Sequence, residues 1–188
     1  MTTRLTFLCS GATEANRKGA FPLDEPLEPK AAEAAAVLAV RLRRAERVLT
    51  SPLVRATQTA KAFALASEPV ETLRDQDFGR WAGKRISEVQ QSEPEAHAIW
   101  LNDPEAAPHG GESLAEMAAR VVPLLDELMA LKGHTVAVTH PAVIRLAVVS
   151  VLGAPMPAFW KIDVEPLSIT ELTGDGRRWA LRMSGRNS

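Results

Sequence analysis

Three side chains stand at equivalent places in this sequence: Ser10 just after one apolar run, Arg55 in the first turn after a second, and His140 just after a third. A hydroxyl, a guanidinium and an imidazole brought together suit an oxyanion, above all a phosphate. Arginine presents a planar fork of donors matched to phosphate oxygens, and histidine changes charge near neutral pH. Cys9, Gly11, Thr13 and Asn16 crowd the turn around Ser10, and Asp75 lies in a charged stretch further on. The chemistry suggested is phosphate binding or phosphoryl transfer.

For these residues to meet, the elements between them must form an open sheet. Leu5–Leu8 reads as a buried strand ended by Gly11, and Pro22, Pro26 and Pro29 punctuate a loop. Lys30–Arg44 reads as an alanine-rich helix and Arg47–Thr50 as a strand. Ser51 as N-cap with Pro52 at the first helical position starts a helix over Leu53–Ala66, and Val70–Leu73 reads as a further short strand. Residues 74–108 form an irregular excursion, with a helix around Ile86–Gln91, and loops of that length are often functional. Ser113 and Glu116 make a capping box for a helix with Leu114, Met117, Val121 and Leu125 at helical spacing. Thr135–Thr139 is a central-strand signal, Ala142–Leu152 a helix, and Leu167–Leu172 with Trp179–Met183 a hairpin turning at Gly174-Asp175-Gly176.

This alternation predicts one α/β domain over 1–188: three layers, α/β/α, around a mostly parallel sheet with one antiparallel edge from the hairpin. In such sheets ligands bind at the carboxyl ends of strands. Arg55 then lies at a helix N-terminus, where free N–H groups and the dipole favour an anion.

Composition narrows the class. A chain of 188 residues, 46% apolar and 24% charged, is long enough for one buried core and short for two. A formal net charge of −1 with mixed signs gives no signature of nucleic acid or an anionic membrane. No apolar run approaches the roughly 18–20 residues needed to span a bilayer. Strand-like residues begin almost at Met1, and the single cysteine fits a reducing compartment, so a cytoplasmic setting is expected.

Five segments in order resemble the histidine phosphatase superfamily, the phosphoglycerate-mutase-like group. Cys9-Ser10-Gly11-Ala12-Thr13-Glu14-Ala15-Asn16 stands where that family reads Arg-His-Gly-x-Thr-x-x-Asn. Thr50 to Ala60 is similar to its Ser-Ser-Pro-x-x-Arg-Ala-x-Gln-Thr-Ala segment, so Arg55 inherits phosphoryl binding. Leu73 to Gly83 resembles the segment carrying a glutamate proton donor, with Asp75 at that position. Gly110 to Leu114 resembles the start of the late helix, and Val136 to His140 the strand carrying the second histidine, with Pro141 in place of the usual glycine.

The resemblance implies a phosphate pocket built from Arg55, Asn16, Gly11, Cys9 and Thr13, with Ser10, His140 and Asp75 at the catalytic positions and no metal or cofactor. It also implies loss of the nucleophile, because Ser10 replaces the attacking histidine and Cys9 a permanent cation. The leading expectation is a degenerate member that binds a phosphorylated small molecule or phosphopeptide. The alternative is a slow phosphomonoesterase using Ser10, Cys9 or a water assisted by His140, and a third reading is a scaffold that binds nothing. Residues 74–108 are then expected to act as the lid that sets specificity.

Plainer roles weigh against some of these residues. Cys9 at a strand end reads most simply as core, and His97, His109 and His134 read as surface or loop residues without metal spacing. The apolar stretch near Phe159-Trp160 is a candidate homodimer surface. A low-molecular-weight tyrosine phosphatase reading of Cys9 fails, because Ala15 stands where its Cys-x5-Arg loop needs arginine.

Overall fold

A strand covered on both faces has no polar side, and β1 (Thr3–Cys9) is buried along nearly its whole length. The computed structural model describes residues 3–38, 45–63 and 66–183. β1 pairs in parallel with β4 (Gly133–Thr139), which pairs in parallel with β2 (Arg47–Thr50). On its other side β1 pairs antiparallel with β5 (Ile169–Gly174), which pairs antiparallel with β6 (Trp179–Arg182). With β3 (Glu68–Pro69) beside β2, the six-stranded order is β3-β2-β4-β1-β5-β6. The mostly parallel sheet and its antiparallel hairpin edge are as the sequence predicts.

Alternation along β1 and β4 sorts side chains into two cores. Leu5, Phe7, Cys9 and Ala137 pack on one face against α6 (Leu114–Ala130) and α7 (Pro141–Val151). Leu8, Val136 and Val138 pack on the other against α2 (Pro29–Leu38) and α3 (Val54–Ala62). This is the three-layer arrangement.

Several boundaries differ. α2 is described only to Leu38, and the rest of the helix expected to Arg44 lies outside the described residues, as do residues 64 and 65 of the next one. α3 starts at Val54 because Ser51 turns inward: its Oγ accepts from Leu53 N–H at 3.2 Å. The strand expected over Val70–Leu73 is displaced to Glu68–Pro69, and Glu71–Leu73 is a 3₁₀ turn. α1 (Glu14–Lys18) was not foreseen, although Thr13 N–H bonds Asn16 Oδ1 at 2.9 Å and Gly19 closes it in the left-handed region.

The excursion holds more structure than its composition suggested. It contains a 3₁₀ turn (Gly79–Trp81), α4 (Ile86–Ser92) and α5 (Pro94–Asn102), gathered on a small core of Phe21, Trp81, Val89 and Trp100. His97 and His109, expected as surface or loop residues, are buried there, His97 on α5 and His109 in a turn; the His109 ring centroid lies 5.1 Å from that of Trp81. Phe159 is also buried, and the half-buried Trp160 packs on it at 4.8 Å. Among the described residues no helix is long and apolar enough to cross a membrane.

Candidate functional site

At the carboxyl ends of β1, β2 and β4 lies a cavity of about 250 Å³. Cys9, Ser10, Gly11, Thr13, Asn16, Arg55 and Asp75 all line it. β1 delivers Cys9, and Ser10 follows with its N–H donating to Thr139 O at 2.7 Å, so the turn is tied to β4. Gly11 N–H donates to Thr59 Oγ1 at 2.9 Å, and Thr59 Oγ1 donates to Arg55 O at 2.7 Å. These bonds lock the first turn to α3.

Arg55 is buried, one nitrogen donating to Leu23 O at 2.9 Å and another to Asp75 Oδ2 at 2.7 Å. The free helix end expected beside it is already occupied: Leu53 N–H goes to Ser51 Oγ, and Val54 N–H to the Asp24 carboxylate at 2.7 Å. An anion does sit at this N-terminus, and it belongs to the protein.

Asp75 joins the two halves of the site, its Oδ2 lying 3.9 Å from His140 Nδ1. Its position is set from behind. Arg120, from α6, grips both oxygens of Glu112 at 2.6 and 2.8 Å and donates to the backbone oxygens of Thr72 and Asp75. Gln76 Nε2 donates to Glu112 O at 2.8 Å. The chains cross closely here, for a Cβ at Gly111 would sit 2.1 Å from Asp77 O. Only glycine permits that approach.

His140 is fully buried behind this wall and does not line the cavity. Its Nε2 lies 2.7 Å from Ser51 Oγ, which already accepts from Leu53 N–H. With Ser51 donating to Nε2 the ring proton sits on Nδ1, which faces Asp75 at 3.9 Å without a hydrogen bond of its own. Burial drives the His140 pKa down to about 3, outweighing the pull of Asp75, while the Arg55 and Arg120 charges push the same way as burial. Thus His140 is a neutral ring behind the pocket, tied to Ser51, and supplies no cation to it.

That burial makes stability depend on pH. The unfolded ring titrates near 6.5 and the folded one near 3. Between these values the unfolded chain holds the extra proton, so stability is full above 6.5 and falls with acid by about 1.4 kcal/mol per unit. His140→Gln removes this contribution. Urea midpoints of the two proteins, taken between about pH 4 and 7, are expected to show a shallower slope in the variant; equal slopes would assign the acid sensitivity elsewhere.

Cys9 is equally muted. Burial, helped by the Asp75 charge, pushes its thiol up to about 12 against the smaller opposing pulls of the Leu167 backbone, Arg55 and Arg145. A thiol at that value is no nucleophile at neutral pH. Ser10 is buried, and among the described residues no base is hydrogen-bonded to its hydroxyl.

Across residues 5–186 the chain matches the family model for the histidine phosphatase superfamily, branch 1. The chain belongs to that superfamily. It is 34% identical over 188 residues to Bifunctional protein Rv2228c of Mycobacterium tuberculosis, covering 93% of this chain and 51% of that one. It thus spans about half the length of that relative. It is 33% identical over 170 residues to a glucosyl-3-phosphoglycerate phosphatase of Mycolicibacterium vanbaalenii, covering 81% of this chain and 76% of that protein. Among solved structures, mycobacterial glucosyl-3-phosphoglycerate phosphatase Rv2419c in complex with VO3 superposes with a TM-score of 0.85 at 29% identity, covering 96% of this chain and 97% of that one.

Set in this histidine phosphatase fold, one charged lining residue escaped the sequence reading. Arg145 faces the cavity together with Pro141 and Ala142, one turn earlier on α7. Spacing of three and four residues from the start of the helix that His140 caps is the signal that finds it. Its guanidinium lies over the Phe159 ring at 5.6 Å, and its ion pair with the exposed Asp163 is a loose 3.9 Å. Arg55 is already matched by Asp75, so Arg145 is the more available cation in the pocket.

Proposed function

We propose that this histidine phosphatase superfamily member binds a phosphorylated small molecule, in a cytoplasmic setting, without forming the family's phosphohistidine. The residue after β1 that faces the cavity carries this proposal: it is Ser10, and among the described residues no imidazole lines the cavity beside it. The phosphoryl group meets Arg55, Arg145, the Ser10 hydroxyl and the amide end of α7, with Asp75 on the rim and His140 behind. The pocket-facing Asn16, Thr13 and Gly11 shape the turn. Relatives whose names specify glucosyl-3-phosphoglycerate and phosphoserine favour a small metabolite over a phosphopeptide. Residues 74–108 contribute Asp75, Gln76, Phe78, Ile86 and Trp100 to the walls and are proposed as the specificity segment.

Loss of the nucleophile should be visible directly. Calorimetry is expected to show saturable binding of inorganic phosphate and of vanadate. Incubation with an activated aryl phosphate should give no acid-labile phosphoenzyme by intact mass, and turnover at the background rate. Hydrolysis that disappears in Ser10→Ala would overturn the proposal in favour of a slow serine-dependent hydrolase. Absence of any phosphate binding would leave only a scaffold.

A further inference from the structure

The walls beyond the phosphate end are aromatic. Phe21, Phe78, Trp100, Phe159 and Trp160 line the cavity, with Ile86 at its mouth. They brace one another: Trp100 and Trp160 lie 4.6 Å apart edge to face, and Phe21 and Phe78 5.0 Å apart. Such a wall is rigid before any ligand arrives, and a rigid aromatic surface is cheap to dock against.

Much of the polar lining away from Ser10 and Arg145, by contrast, is already engaged within the protein. Thr13 Oγ1 donates to Glu25 at 2.7 Å, and Asn16 Oδ1 accepts from Thr13 N–H at 2.9 Å. Gln76 Nε2 is held by Glu112 O at 2.8 Å, and the Asp75 carboxylate by Arg55 at 2.7 Å. A sugar or polyol entering this space would give up hydrogen bonds to water and find few groups free to replace them. A flat apolar group loses nothing and gains contact.

Taking the proposed phosphate site as given, we propose that the ligand is a phosphomonoester whose alcohol part is aromatic. Its ring lies against Trp160 and Trp100, and its phosphate reaches Arg55 and Arg145. Selectivity of this kind sets the chain apart from a glucosyl phosphate binder built on the same fold.

The test compares 1-naphthyl phosphate, glycerol 3-phosphate, glucose 6-phosphate and inorganic phosphate by calorimetry on the whole chain. Naphthyl phosphate is expected to bind about tenfold or more tighter than inorganic phosphate, the gain from an added aromatic contact. The two polyol phosphates are expected to bind no tighter than inorganic phosphate. Trp160→Leu should remove the naphthyl gain and leave inorganic phosphate unchanged. Ile86→Ser, at a site 40% exposed, provides a second variant with little risk to folding, and should reduce the gain in part. Glucose 6-phosphate binding as tightly as naphthyl phosphate would overturn this inference while leaving the phosphate site intact. Failure of all four ligands, inorganic phosphate included, would overturn the phosphate site itself and the inference with it.

Discussion

Arg55→Ala is expected to destabilise the fold by about 3–5 kcal/mol, the usual result of stripping one partner from a buried ion pair. The guanidinium and the Asp75 carboxylate are only 5% and 10% exposed, so water cannot replace the lost partner. The same change should lower phosphate affinity by at least 1.5–3 kcal/mol, roughly the worth of a charged hydrogen bond. Leaving Asp75 uncompensated in the pocket adds repulsion of the incoming dianion. Asp75→Asn should do the opposite to binding. It removes the internal anion that now occupies Arg55, so phosphate affinity rises even as the fold loses some stability. In the double variant Arg55→Ala with Asp75→Asn, no charge is left stranded, and stability should recover part of the loss seen in Arg55→Ala. Urea unfolding and phosphate calorimetry on the three variants measure both quantities. Unchanged affinity in Arg55→Ala, or weaker binding in Asp75→Asn, would remove this pair from the site.

The opposed signs follow from a feature that no pattern in the chain displays. Arg55 was legible as a phosphate ligand because it follows Ser51-Pro52 at the end of a strand, and strand ends in open sheets converge. Whether its charge is free depends on Asp75, which lies 20 residues away in a loop positioned by Arg120 and Glu112. Spacing says nothing of that. Strands β1, β2 and β4 were legible because each carries a short run of apolar and β-branched residues, and α6 because Ser113 and Glu116 mark its start. α5 was hidden because a short helix on the excursion rests on Trp100 and His97 alone, which is too little to show a period. His109 does lie in a turn, as read, but its burial was hidden because it comes from Phe78 and Trp81, on a crossing segment. His140 was placed correctly at its strand end, but its depth behind Asp75 and its bond to Ser51 are tertiary facts.

On the proposed function, supplying an imidazole and a guanidinium at the two substituted positions should raise activity from background to readily measurable turnover. Cys9 faces the cavity from the end of β1, and Ser10 follows at its floor, so Cys9→Arg with Ser10→His supplies a guanidinium and an imidazole at the two positions the family uses. Each function has its own share. The imidazole provides the nucleophile, and the new cation stabilises charge on the transferring phosphoryl group, an effect worth roughly 10²–10³ in rate. Ser10→His alone should therefore form phosphoenzyme slowly, and Cys9→Arg alone should bind phosphate without turnover. The pocket also predicts a cost. A guanidinium at position 9 joins Arg55 and Arg145, whose charges already act on that position. With Asp75 as the main counter-ion inside, the double variant should melt lower than the wild type in plain buffer and recover when phosphate is added. Asp75→Glu on top should help further, because Asp75 is bonded to Arg55 and a general acid must come within about 3 Å of the leaving oxygen. The measurements are aryl phosphate turnover, acid-labile phosphoenzyme by intact mass, and melting with and without phosphate. A double variant that folds and binds phosphate, yet forms no phosphoenzyme, would show that more than the nucleophile and its cation separates this chain from its active relatives.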